Sequence, residues 1–167
     1  RFDDARAHGL ALATGRGLTM IDPFDDDAVI AGQGTIGVEM LRAQPDLDDL
    51  VVQIGGGGLI AGIATAARHL RPAIRVTGVQ VERFALVYDA IEGGHHPVGA
   101  GSIAEGIAVN RVGVRTLPMI RQRVDQVVLV DEGDVEQALL MLLEIEKTVV
   151  EGAGAAGLAA LLRHPQR

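Results

Sequence analysis

Four consecutive glycines, Gly55-Gly56-Gly57-Gly58, are the residues of this sequence best suited to chemistry through the backbone alone. They follow the apolar run Leu50-Val51-Val52-Gln53-Ile54 and precede an Ala-rich stretch, Leu59 to Leu70, with Pro72 just beyond it. The first run has the composition of a buried strand and the second reads as a helix, so the glycines occupy a strand-to-helix turn. Glycine lets the backbone turn its N–H groups inward and puts no side chain in front of an approaching oxygen. The helix beginning near Leu59 adds its unpaired N–H groups and the positive end of its dipole. Together these features suit a phosphate held by backbone N–H groups; a plain tight turn needs only one or two glycines.

The identity of that phosphate is open from the loop alone. Gly56-x-Gly58-x-x-Ala61 fits the dinucleotide pattern, and Glu82 ends the next strand where a ribose-binding acid would sit. The P-loop pattern fails, because no lysine follows the glycines. Glu105 sits in the turn Ala104-Glu105-Gly106, where Ser102-x-x-Glu105 also reads as a capping box. Glu151 lies between Val150 and Gly152 in an apolar run, where a carboxylate must find a partner or shift its pKa. Gln33 and Thr35 are expected to build a turn beside the site. His8, His69, His95, His96 and His164 show no metal-ligand spacing. The single lysine, Lys147, falls at the end of a predicted helix, where a cation complements the dipole.

The elements that must position these groups alternate in type. Asp3 to Leu12 reads as a helix, Leu18 to Ile21 as a strand or extended piece, and Asp22 to Asp27 as an acidic turn. Ile36 to Ala43 reads as a helix after Gly32 and Gly34. Strand 50–54, the glycine turn, helix 59–70 and strand 74–81 form a βαβ unit, which implies a parallel sheet. Phe84 to Ile91 is a predicted helix and Gly93 to Gly101 a loop. Short segments over 102–108 and 116–123 precede a strand at 126–130. Asp131 caps a helix running to about Lys147, with Asp134 three residues on and Val135, Ala138, Leu139 and Leu142 on one face. Ala155 to Leu162 is the last helix. The fold class is α/β, a mostly parallel twisted sheet with helices on both faces.

Composition bounds the function classes. The 167 residues fit one domain, with 48% apolar and 22% charged residues. Net charge is −7 and aromatics make up 2%, which disfavours nucleic-acid binding through basic patches and stacking rings. No apolar run reaches the roughly 18 residues of a membrane span. Cysteine is absent, so disulfides and thiolate metal sites are excluded. No signal peptide is visible, and a cytoplasmic protein is expected. The ends, Arg1-Phe2 without a Met and Arg163 to Arg167 directly after an apolar helix, read as cuts through a longer chain.

The segments Ala31-Gly32-Gln33-Gly34-Thr35-Ile36-Gly37-Val38-Glu39, Gly55 to Gly62, Gly78-Val79-Gln80-Val81-Glu82, Ala104-Glu105-Gly106 and Val150-Glu151-Gly152-Ala153-Gly154-Ala155, in this order and spacing, resemble the pyridoxal-phosphate serine/threonine dehydratases of fold-type II. Within that group the chain looks like a threonine ammonia-lyase, with serine racemase as a near cousin. The resemblance covers almost all of the chain. It implies that residues 1–167 are the large-domain part of such an enzyme, a partial pyridoxal-phosphate-binding catalytic domain without a second domain.

The resemblance also implies roles. Gly55, Gly56, Gly57, Gly58 and Leu59 bind the pyridoxal 5'-phosphate phosphate through their N–H groups. Glu105 and Gly106 lie by the cofactor ring, and Glu151 is close to the cofactor. Glu82 matches an acid that helps bind a cation in some members; Leu86 and Tyr88 follow where racemases place a carbonyl and a second acid, and Tyr88 departs from that pattern. The Schiff-base lysine of the family lies upstream of residue 1, and the Ser-Gly-Gly-Asn segment that meets the ring nitrogen lies downstream of residue 167. The chain therefore contains no catalytic lysine, and alone it is expected to bind the cofactor weakly and not to turn over substrate. The parent is expected to convert L-threonine to 2-oxobutanoate and ammonia, in isoleucine biosynthesis or threonine catabolism, and L-serine to pyruvate. Its partner is a small amino-acid substrate, with no nucleic acid and no membrane. Oligomers are common in the family.

Overall fold

A computed structural model describes residues 2–165, with side chains from residue 4 onward; the terminal Arg1, Gln166 and Arg167 noted above lie outside the described residues. In chain order the elements are α1 (Phe2–Arg16), α2 (Asp27–Ala43), β1 (Asp49–Gln53), α3 (Gly58–Leu70), β2 (Arg75–Val81), α4 (Leu86–Glu92), α5 (Thr116–Arg123), β3 (Gln126–Val130), α6 (Glu132–Glu144) and α7 (Gly152–Arg163). Two short 3-10 turns, Glu82–Phe84 and Glu105–Ile107, interrupt the connections.

The three strands form a sheet in the order β1-β2-β3, and both pairings are parallel. Side chains of a strand alternate between faces, so each strand serves two cores. On one face Leu50, Val52, Ile54, Val76 and Val127 pack with Ile60, Ile63, Ala64 and Ala67 of α3 and Ile120 of α5. On the other, Val79, Val81, Val128 and Val130 pack with Val135 and Ala138 of α6 and the alanines of α7. Helices thus cover both faces, as a parallel sheet requires. The one fully buried amide side chain among the described residues, Gln80, is satisfied. Its Oε1 accepts from the N–H groups of Val87 and Tyr88 at 3.0 and 2.9 Å, at the start of α4.

Of the two readings of Leu18 to Ile21, a strand or an extended piece, the strand is not formed; these residues are neither helix nor strand and lead from α1 toward α2 without strand pairing. Helix α2 begins nine residues before the predicted Ile36 and runs straight through Gly32, Gly34 and Gly37. Asp26 caps it, accepting from the N–H groups of Ala28 and Val29. The glycines here are contact points rather than breakers. A Cβ at Gly34 would lie 3.1 Å from the Gly62 carbonyl oxygen, and one at Gly37 would lie 3.0 Å from that of Ile63. Backbone of α2 therefore rests on backbone of α3, and that approach outweighs the helix propensity glycine forfeits.

At α6 the expected Asp131 cap is present in both directions, with Asp134 N–H donating to Asp131 and Asp131 N–H to Asp134 at 2.9 Å each. The helix ends at Glu144, three residues before Lys147. Val135 and Ala138 are buried and Leu139 and Leu142 pack against the same core, as the periodicity requires. The Ser102-x-x-Glu105 capping box does not form. Ser102 Oγ accepts from Ala104 N–H instead, and Glu105 opens a 3-10 turn.

Candidate functional site

The glycine loop lies at the carboxyl end of β1, where ligand crevices of open parallel sheets are found. It lines a cavity of about 510 Å³ together with Leu59, Glu105, Gly106, Gln33 and Glu151. That volume is in the range of small-molecule and cofactor sites. Its only charged lining residues are Glu105 and Glu151, with no Lys, Arg or His. Positive potential in the cavity therefore comes from the backbone. Among the described residues, the N–H groups of Gly55 to Leu59 have no protein acceptor, and α3 starts at Gly58 with its positive dipole end on the cavity.

Why Gly56, Gly57 and Gly58 are glycine has a packing answer beside the ligand answer. Phe24 lies under Gly56 and Gly58: a Cβ at Gly56 would overlap the Phe24 ring, and one at Gly58 would sit 2.8 Å from the Phe24 carbonyl oxygen. Gly57 has φ +97°, in the region that L side chains avoid, and a Cβ there would lie 2.8 Å from both Thr116 Oγ1 and Ile120 Cδ1. The loop is pressed onto a protein floor with its N–H groups left free on the cavity side.

That floor comes from two distant segments. Residues 22–26, expected only as an acidic turn, tie them together. Asp22 accepts from the N–H groups of Phe24 and Asp25 and pairs with Arg6 and Arg111 at 3.2 and 2.7 Å. Burial pushes the Asp22 carboxyl up, but the N–H groups of Asp25 and Phe24 and the Arg111 guanidinium outweigh it and hold it below the usual aspartate value. Arg111 in turn stacks over Phe24, 4.2 Å from the ring centroid. Phe24, Asp25 and Thr116 are site residues that the sequence reading does not find. The loop spacing alone cannot reveal them, although an apolar residue within an acidic run is a signal for Phe24.

The other expected residues separate into two groups. Glu105 and Gly106 line the cavity. A Cβ at Gly106 would come within 2.9 Å of Glu151 Oε1, so the Glu105 turn and the start of α7 meet closely. Glu151 is not buried as its neighbours suggested. It is the residue before α7, exposed at the cavity, while Gly152 and Ala153 behind it are buried. Gln33 and Thr35 lie inside α2 rather than in a turn; Gln33 lines the cavity and Thr35 Oγ1 donates to the Gly32 carbonyl.

Glu82 does not line the cavity. Its carboxylate accepts from Arg163 at 3.1 Å, and the same guanidinium bonds Asp131 and Asp134 at 2.8 and 2.5 Å. Among the described residues no group of three or more His, Asp or Glu is placed to hold a metal ion. Tyr88 stands edge-on to His96, at 5.6 Å between ring centroids. Lys147, the only lysine, is exposed outside the cavity and donates to the Glu144 carbonyl at the end of α6. No described helix is long and apolar enough to cross a membrane.

A family model described as pyridoxal-phosphate dependent enzyme matches residues 1–167. The chain is 48% identical over 164 residues to the L-threonine ammonia-lyase of Geobacter sulfurreducens, covering 96% of this chain and 40% of that protein. Among solved structures it is similar to a T.th. threonine deaminase, with TM-score 0.87 and 38% identity over 95% of this chain and 60% of that one. It is also similar to maize serine racemase, with TM-score 0.87 and 34% identity over 93% and 49% of the two chains. The chain spans half or less of the length of the curated relatives it matches.

Proposed function

The chain belongs to the pyridoxal-phosphate dependent enzyme family, and from that premise we propose that residues 1–167 are the phosphate-holding part of the catalytic domain of a threonine ammonia-lyase. The parent converts L-threonine to 2-oxobutanoate and ammonia, and L-serine to pyruvate and ammonia. The observation that carries this reading is a cavity whose only anion-binding groups are the free N–H groups of Gly55 to Leu59, in a chain with this family membership.

The residues fit the cofactor. Gly55, Gly56, Gly57, Gly58 and Leu59 hold its phosphate by N–H donation, with the α3 dipole favouring the dianion. Glu105 and Glu151 put negative charge on the cavity wall, which favours positively charged groups of ring or substrate and disfavours a second anion there. Pyridoxal phosphate, when bound, supplies an electron sink for negative charge at the substrate α-carbon. Phe24 and Ile107 give the cavity an apolar side that excludes water around the held group. Lys147 stands outside the cavity, so this chain holds the cofactor without a covalent anchor.

The experiment is an assay of 2-oxobutanoate release from L-threonine with added pyridoxal phosphate. The full-length parent turns over and the 167-residue chain does not. Turnover by the pure chain, or a parent inactive on both threonine and serine, would overturn the reading.

A further inference from the structure

A run of four glycines presents a problem that its own sequence does not solve. Each glycine populates both signs of φ at similar cost, so the Gly-Gly peptide planes can flip. A flip exchanges an N–H for a carbonyl on the cavity side, which turns an anion site into one that repels anions. Something outside the loop must choose the orientation.

We propose that Thr116 is the positioning residue that makes this choice for the Gly56–Gly57 peptide, and so commits the Gly57 N–H to phosphate. This rests on the phosphate reading of the loop given above. Thr116 is fully buried at the first residue of α5, and its Oγ1 donates to the Gly56 carbonyl at 2.7 Å. No peptide bond among the described residues is cis. In a trans peptide the C=O and the following N–H point in opposite directions. With the Gly56 carbonyl drawn inward to Thr116, the Gly57 N–H is aimed away from that floor, on the side where Gly57 lines the cavity.

Thr116 is itself held in place. Asp25 accepts from the N–H groups of Val114, Arg115 and Thr116 at 2.9, 2.8 and 3.4 Å, which fixes the first turn of α5. Gly113 must lack a side chain for this packing, since a Cβ there would overlap Thr116 Oγ1 and come within 2.6 Å of Asp25 Oδ1. Asp25, Thr116 and Gly56 therefore form one hydrogen-bonded path from the segment after α1 to the loop. Thr116 is not among the cavity-lining residues, so its effect on a ligand passes through the peptide it holds.

The test is a titration of the 15N-labelled chain with inorganic phosphate, read at the loop amides. In the wild type the Gly57, Gly58 and Leu59 amides shift together. In Thr116→Val the Gly57 response is lost while those of Gly58 and Leu59 persist, and phosphate binds about tenfold more weakly, the size expected for one charge-assisted hydrogen bond. Thr116→Ser keeps the hydroxyl and restores the Gly57 response. A wild-type Gly57 amide that stays still while its neighbours move, or a Thr116→Val chain whose Gly57 responds as in wild type, overturns the proposal. If no loop amide moves in the wild type, the phosphate reading itself fails and this inference fails with it. Should Thr116→Val not fold, the wild-type hydroxyl decides: a slowly exchanging Thr116 Oγ–H coupled to the Gly56 carbonyl carbon supports the proposal, and a freely exchanging one overturns it.

Discussion

The carboxylate of Asp25 accepts a hydrogen bond from the N–H of Arg115 at 2.8 Å across ninety positions of sequence. It does for α5 what a local cap residue does elsewhere, because Arg115 and the residues around it offer no side-chain cap of their own. Asp25→Ala should lower unfolding stability by about 1–2 kcal/mol, the usual cost of a lost cap. Denaturant unfolding checks it, with a shifted midpoint and an unchanged slope. An unchanged midpoint would show that solvent replaces the cap without cost.

Phe24 and the glycine loop should behave as one unit. Gly56→Ala drives a methyl group into the Phe24 ring, and should destabilise by about 1–3 kcal/mol, as overpacking does. Phe24→Leu has its own cost but removes the ring. The double variant should therefore be less unstable than the sum of the two, with a coupling of about 0.5–3 kcal/mol. Strict additivity in thermal unfolding would mean that the two do not touch. Gly101→Ala is the control, since Gly101, like Gly56, lacks a positive φ but has open space where a Cβ would go, so it should show no clash cost.

Much of this was legible in the sequence, and the exceptions share a cause. Strand β3, helix α6 and the β1–loop–α3–β2 unit follow from local pattern, because hydrophobic runs and their breakers lie next to each other in the chain. The start of α2 is hidden because glycine propensity argues against a helix there, whereas Gly34 and Gly37 serve contact with α3. The exposure of Glu151 is hidden because its apolar neighbours face inward from α7 while the residue before the helix faces out. Thr116 and Asp25 carry no local signal at all. Their partners lie 60 and about 90 positions away, so only the assembled fold brings them to the loop.

Asp22 makes a prediction about acid. Its folded-state carboxyl is held below the ordinary value, so its contribution is fully present above the unfolded pKa and is lost as pH falls through the folded one. Asp22→Asn should thus be less stable than wild type by a constant amount near neutrality. The gap should narrow below about pH 4, where the carboxyl begins to take up its proton in the unfolded state, and close further as pH falls through the lower folded-state value. Melting curves of both chains from neutral to acid pH measure it. A gap that does not narrow in acid would place the contribution of Asp22 elsewhere than in its charge.

The central claim, that the loop holds a cofactor by its phosphate, is tested most directly by comparing pyridoxal phosphate with pyridoxal. With both added in turn to the 167-residue chain, pyridoxal phosphate should raise the melting temperature in a saturable way, because a ligand that binds only the folded state stabilises it by mass action. Inorganic phosphate should compete with it, and pyridoxal, which lacks the phosphate, should leave the melting temperature unchanged. Equal shifts from the two aldehydes, or no shift from pyridoxal phosphate at any concentration, would contradict the account.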